Sequence, residues 1–334
     1  MITPGELAER LAALPVSVER VFCEVVEIEI EAYPGGKRPM AVVHLAGGGE
    51  TGRGESVSWT LGVQDRFAAH VKELLRAKRG HVGELVAEEA DHYARAALEA
   101  ALIDLALRQA GKGMAQLAEA GESAVRPVRY LISFDASQDP AARLEEIRAA
   151  NPSARFKVDV EPDWSDSAVS ELVATGAVEM LDLKERGDER LVGRLAEAFP
   201  EAWLEDPPHD VELWAGRVAR DIAIRSAEDA ARWAEKGDMI SIKAPRMGGV
   251  LEALRGLEAA RAAGVPAHVG GMWEMGPGRE QARILAALYT PDAPNDLAPI
   301  PRHEDSPRDP SPLAVRVDQP GFGAHSHPHG PSSD

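Results

Sequence analysis

From residue 20 the chain alternates apolar and polar positions in VFCEVVEIEI and again in PMAVVHLA. That period of two predicts strands, and the PGGKR between them predicts a hairpin turn. The glycine-rich GGGETGRGE reads as a connection into a further extended run, SVSWTLG. Between residues 64 and 120 the period lengthens. VQDRFAAHVKELLRAKRG and HYARAALEAALIDLALRQAGKG read as helices, each closed by a glycine stop. Residues 1–125 therefore read as a small α+β domain.

Beyond residue 125 short apolar runs alternate with amphipathic helical ones. The strand candidates are 126–134, 155–161, 179–184, 202–206, 217–221, 239–243, 266–271 and, most weakly, NDLAP at 295–299. Between them lie segments such as AARLEEIRAA, ERLVGRLAEAF and VLEALRGLEAARAAG, which read as helices. Such βα alternation predicts a parallel (β/α) barrel over residues 126–300. The region is shorter than the roughly 250 residues of a typical barrel, so a doubly wound sheet is the alternative. Residues 301–334 form a C-terminal segment whose proline- and histidine-rich end, SHPHGPSSD, is expected to be disordered and solvated.

Composition narrows the function classes. The 334 residues are 44% hydrophobic and 28% charged, as in a soluble globular protein. A formal charge of −18 argues against nucleic-acid and anionic-membrane partners. No apolar run approaches the roughly 20 residues of a membrane span, and the first residues lack the pattern of a secretory signal. The single cysteine, Cys23, excludes an internal disulfide framework and fits a reducing, cytoplasmic setting. Its place in a strand-like run predicts a buried thiol rather than a nucleophile.

Catalytic groups of a parallel barrel gather at the C-terminal ends of its strands. Reading those ends in order gives Lys157, Asp182, Glu205, Asp221 and Lys243, spaced by about one βα unit except for a short step from Glu205 to Asp221. Three converging carboxylates repel one another unless a cation sits among them, and hard oxygen ligands suit Mg²⁺, with Mn²⁺ as the nearest substitute. Lysines on either side of that cation would then exchange protons with opposite faces of a bound carbanion. Single charges at strand ends are usually solvated loop residues. The order lysine, three acids, lysine is what argues for a site.

The same residues resemble the enolase superfamily, specifically its muconate-lactonizing subgroup, which includes o-succinylbenzoate synthases, N-acylamino-acid racemases and dipeptide epimerases. GGGETGRGES resembles the Gly-x-Gly-Glu of that family's N-terminal sheet. Arg155-Phe156-Lys157 occupies its Lys-x-Lys motif, and Leu204-Glu205-Asp206-Pro207 its "EDP" at the second metal ligand. RVARDIAIRSAEDA resembles "PIALDESIRSPEDA", which puts Asp221 at the third ligand. Ile242-Lys243 with Gly248-Gly249 resembles the motif of the second catalytic lysine, and Gly270 to Glu274 the "GG-M-E-S-G" after the seventh strand.

The resemblance implies a (β/α)7β-type TIM barrel behind an α+β capping domain. It implies a Mg²⁺-dependent lyase or isomerase that removes the α-proton of a small carboxylate through an enediolate. Lys157 and Lys243 would be acid and base, and Asp182, Glu205 and Asp221 the metal ligands. Arg155, Glu274 and Asp296 are the candidates for substrate contact, Asp296 toward a substrate ammonium, while Trp273 reads as core. A homo-oligomer is expected on the same ground. Two departures matter: Lys184 follows Asp182 where the family has Asn, and Ile222 replaces an acid after Asp221. Lys184 lies beneath the metal or forms a structural ion pair. A metal-impaired barrel kept as a binding or assembly protein is therefore the alternative function.

Overall fold

The computed structural model describes residues 1–31, 33–75, 77–86, 91–135, 140–208, 217–300 and 311–323. Helix Pro4–Ala12 opens the chain on a capping box made by Thr3 and Glu6. Strands Arg20–Glu29, Lys37–Gly47 and Glu50–Ser56 form an antiparallel sheet, paired in that order. The glycine-rich stretch is thus a strand and not a connection. SVSWTLG supplies the turn into helix Leu61–Leu74 instead of a strand.

The reason lies in helix His92–Gln109, buried along most of its length, which lies against that strand. A Cβ on Gly54 would collide with the Ala97 carbonyl, and one on Gly52 with the backbone at Ala101 and Leu105. Glycine lets the helix backbone approach the sheet, so composition misleads about the local structure.

Seven parallel strands follow in chain order: Ile132–Asp135, Phe156–Asp159, Val178–Asp182, Trp203–Glu205, Val218–Arg220, Met239–Ile242 and Ala267–Val269. Helices Pro140–Ala150, Asp166–Thr175, Glu189–Ala198, Ala227–Ala234, Val250–Ala263 and Pro277–Tyr289 lie between or after them. The short step between Glu205 and Asp221 runs through 209–216, outside the described residues. The expected eighth strand is reduced to single bridges, Tyr130 to Asn295 and Gly270 to Asp296. They join the last strand to the first and close the barrel. Asn295, fully buried, fixes the closure: its Oδ1 accepts from Val269 N at 2.9 Å, and its Nδ2 donates to the carbonyls of Arg129 at 3.0 Å and Thr290 at 2.7 Å.

The run 126–134, expected as one strand, is two. Val125–Val128 leaves the barrel to pair antiparallel with Leu313–Arg316, and only Ile132–Asp135 joins the ring. Residues 324–334, where a disordered tail was expected, lie outside the described residues. No helix among the described residues is long and apolar enough to cross a membrane. Cys23 is buried in the N-terminal sheet.

The N-terminal unit is fastened to the barrel by buried acids. Glu55 accepts hydrogen bonds from the backbone N–H groups of Met275 and Gly276, both at 2.9 Å, and Gly278 at 3.1 Å, where helix Pro277–Tyr289 begins. Glu99 accepts from Leu251 N at 2.8 Å at the start of helix Val250–Ala263. Carboxylates suit these positive helix ends. Burial still pushes Glu55 up to about 6 and Glu99 up to about 7. Asp104 joins Arg53 N to Phe322 N, each at 2.9 Å.

Candidate active site

The alternation of side chains along each strand decides what faces the barrel interior. Asp159, Asp182 and Glu205 are direct partners across three neighbouring strands, so their carboxyls share one level at the C-terminal ends. Lys157 rises from two positions below Asp159, its side chain 4% exposed. Its ammonium lies against Glu205, 3.3 Å from Asp182 Oδ2 and 3.5 Å from Asp296 Oδ2. On the far side the Lys243 ammonium is 2.9 Å from Asp221 Oδ2 and 4.0 Å from Asp296 Oδ2. The two lysines thus face each other across the mouth, with Asp296 reaching both.

The mouth is an electrostatic cluster rather than a row of solvated ends. Burial opposes the charge on Lys157, but Glu205, Asp182 and Asp296 outweigh it and hold the ammonium well above its usual range. Burial would push Asp221 up, yet Lys243 and Arg246 pull it far below the usual carboxylate range. Asp296 is depressed in the same way by Lys157 and Lys243, against burial. Glu205, fully buried and facing Asp182 and Asp221, is held well above its ordinary value despite Lys157. Burial and the positive charge of Lys157 push His268, 3.6 Å from Glu205, down to about 4 and keep it neutral.

Sequence reasoning missed several members of this cluster. Arg246 meets Asp221 Oδ1 at 2.7 Å and donates to the Asp221 carbonyl at 2.7 Å. Ser133 donates to Asp296 Oδ1 at 2.8 Å. Asp206, at φ 45, accepts from the backbone N–H groups of Asp221 at 2.9 Å and Ile222 at 3.0 Å, and so sets the turn that presents Asp221. Period two was the available signal for Asp159. Asp206 and Arg246 stood beside motifs already singled out.

Two expected substrate residues do not join the cluster. Arg155 sits just before the opposite end of the strand, half-exposed, 3.3 Å from Glu179, because Asp159 and Lys157 take the inward positions nearer the mouth. Glu274 is buried, accepts from Met272 N at 2.8 Å and faces Arg279 at 3.7 Å, near Glu55 at the domain seam. Trp273 packs edge-on against Tyr33 at 5.5 Å, in the apolar cluster between cap and barrel.

For a metal the donors are of the right kind, since Asp182, Glu205 and Asp221 offer hard, buried oxygens. Glu205 and Asp221 already face cations of the chain, Lys157 against Glu205 and Arg246 2.7 Å from Asp221 Oδ1, which a metal ion would have to displace. Among the described residues the acids do not converge into a ready-made cage. The chain's own cations stand between them. Lys184 takes Asp182 Oδ2 at 2.9 Å and Asp159 Oδ2 at 3.0 Å, which makes it an ion-pair partner in this structure.

Comparison with known proteins gives the same picture. The C-terminal domain model of a domain of unknown function, DUF8230, matches residues 124–304, and the corresponding N-terminal domain model matches residues 9–117. An o-succinylbenzoate synthase of Geobacillus kaustophilus is 27% identical over 223 residues, 62% of this chain and 59% of that protein. An N-succinylamino acid racemase of Amycolatopsis sp is 29% identical over 261 residues, 71% of this chain and 66% of that protein. The matches therefore span less than two thirds of either relative.

Among solved structures, the muconate lactonizing enzyme of Pseudomonas putida has a TM-score of 0.70 at 18% identity, covering 92% of this chain and 96% of that one. A dipeptide epimerase of Methylococcus capsulatus complexed with Mg ion has a TM-score of 0.71 at 18% identity, covering 92% and 99%. The chain belongs to the DUF8230 family; in sequence it is similar to o-succinylbenzoate synthase and N-succinylamino acid racemase, and it has the fold of muconate lactonizing enzyme and dipeptide epimerase.

Proposed function

We propose that this protein is a lyase or isomerase that removes the α-proton of a small carboxylate at the barrel mouth, with Lys157 and Lys243 as acid and base. The observation that carries the reading is the pair of buried lysines facing each other across a cluster of acids, with Asp296 touching both. Two lysines on opposite sides of one pocket suit such an exchange, one as the neutral amine that takes a proton from one face of a substrate and the other as the ammonium that returns one to the other face. The reactions in its relatives' names, racemisation, epimerisation and o-succinylbenzoate synthesis, fit that pairing.

Asp182, Glu205 and Asp221 would hold the divalent cation, Mg²⁺ or Mn²⁺. When bound, it would supply positive charge that relieves the acids' hold on the lysines and opposes charge developing on the substrate carboxylate. Each other role falls to the chain. Arg246 fixes Asp221 through both its carboxylate and its carbonyl. Asp206 holds the turn on which Asp221 sits. Neutral His268 closes the floor beneath Glu205. Asp296, anchored by Ser133, offers negative charge to a substrate ammonium and offsets the repulsion between the two lysines.

A second reading, a barrel kept for binding or assembly, has one observation in its favour: Lys184 occupies Asp182. The test is α-proton exchange in D₂O, followed by NMR with Mg²⁺ and a panel of N-succinylamino acids and dipeptides. Exchange that disappears in Lys157→Ala and Lys243→Ala supports the enzyme. No exchange with any panel member would sink it in favour of the second reading.

A further inference from the structure

Lys184 is unlike the other cations of the mouth. Its side chain is 41% exposed, against 4% for Lys157 and 9% for Lys243. Its Nζ lies 2.9 Å from Asp182 Oδ2 and 3.0 Å from Asp159 Oδ2, an acid that neither of the other lysines pairs with. Its backbone N–H also donates to Asp182 Oδ1 at 3.1 Å, so one residue engages both oxygens of that carboxylate. This grip needs a left-handed backbone at Lys184, φ 50, followed by another at Glu185, φ 59. Neither residue favours that region, and such positions store on the order of 1–3 kcal/mol each. The turn is held by Glu185 N donating to the Asp206 carbonyl and Arg186 N to the Leu183 carbonyl, each at 2.8 Å.

We infer that Lys184 is a tethered counter-ion that takes a divalent cation's place at Asp182, so that the acids accept Mg²⁺ only when its ammonium withdraws. The inference rests on the site reading given under Proposed function. Two features make withdrawal available to this lysine. Its stem reaches solvent. Asp159, beside it and not among the proposed ligands, can retain the ammonium after Asp182 is released. Lys157 cannot serve in this way, because it is enclosed and lies against Glu205. An ammonium held by its own chain competes at a high effective concentration, so any dication at Asp182 must overcome that pairing. The cluster thereby stays neutralised when no metal is present, and metal affinity is lowered by the same contact.

The test is Mg²⁺ binding by the full-length protein, measured by calorimetry and by the melting-temperature rise in saturating Mg²⁺. The variants are Lys184→Asn, Lys184→Met and Lys184→Arg. Asparagine tolerates the left-handed backbone, methionine keeps the stem without the charge, and arginine keeps the charge. Asn and Met variants are expected to bind Mg²⁺ at least tenfold more tightly than wild type, with a larger melting-temperature rise, while Arg behaves as wild type. Equal affinities throughout, or no binding by any of them, overturn the counter-ion role. So does tightening in Lys184→Asn alone, which would credit the new amide oxygen. Proton exchange measured on the same preparations separates the two ideas. Exchange with unchanged affinities removes only the counter-ion role. Tightened affinity with no exchange on any substrate removes only the enzyme reading.

Discussion

Two groups of buried acids lie close together in this molecule and are neutralised in different ways. At the seam between cap and barrel, Glu55 and Glu99 meet backbone N–H groups at the starts of helices. At the mouth, Asp182, Glu205, Asp221 and Asp296 meet ammonium and guanidinium groups. Backbone amides are fixed in place and have no other partner, so their contacts fasten one unit to another. Ammonium groups stand on rotatable stems, and their contacts can be exchanged for a substrate or a metal. Burial raises the stakes in both places, but only the second arrangement is made to be rearranged.

The largest effect that would sharpen this contrast is chemical. Lys243→Ala is expected to slow α-proton exchange by about 10²–10⁴-fold, the range typical of a lost acid or base. A variant that keeps its exchange rate would break the assignment of the mouth as the site of chemistry. Glu55→Ala should act on the other side of the comparison. It strands the N–H groups of Met275, Gly276 and Gly278 and is expected to destabilise the fold by about 4 kcal/mol. Denaturant midpoints read that loss, and exchange per folded molecule should stay as in wild type. Lost exchange at an unmoved midpoint would place Glu55 in the chemistry.

Glu99 offers a pH test. Its carboxyl, about 7 when folded against 4.5 as the ordinary value, holds its proton better in the folded protein. The stability this confers is complete below pH 4.5 and is lost as pH rises through 7. Glu99→Gln keeps an acceptor oxygen without the charge. It should flatten the melting-temperature profile over that window and gain up to about 3 kcal/mol at pH 8. Parallel profiles for the two proteins would exclude Glu99 as the titrating seam group. The smallest effect is expected at Arg155. Its half-exposed pair with Glu179 is worth less than about 1 kcal/mol, so Arg155→Ala should leave both stability and exchange nearly unchanged. A large loss of exchange would return Arg155 to the substrate.

What the sequence revealed and concealed follows the same divide. The mouth was legible because a parallel barrel turns strand ends into a spatial ring, so the linear order Lys157, Asp182, Glu205, Asp221, Lys243 maps onto neighbours. The seam was not. Glu55 sits among glycines that read as a loop by composition and as part of the sheet only by the Gly-x-Gly-Glu resemblance, and their missing side chains are what admit helix His92–Gln109. Glu99 and Asp104 interrupt the apolar stretch from Ala96 to Leu107, and that interruption was the available sign of buried acids with partners elsewhere. The eighth strand was faint in sequence because it is only two bridging residues long. Arg155 lies away from the cluster because a motif position fixes the face of a strand but not the height along it.

Those two bridging residues tie closure of the ring to the site. Asn295 joins Tyr130 and Asp296 joins Gly270, so the first and last strands meet there and nowhere else among the described residues. The carboxylate that reaches both lysines is carried by the residue that completes the ring. In the closed ring, Asp296 is the acid that spans the gap between the two lysines. Ring closure and the bridge between the lysines therefore hang on one short piece of chain, so a substitution there would touch both at once.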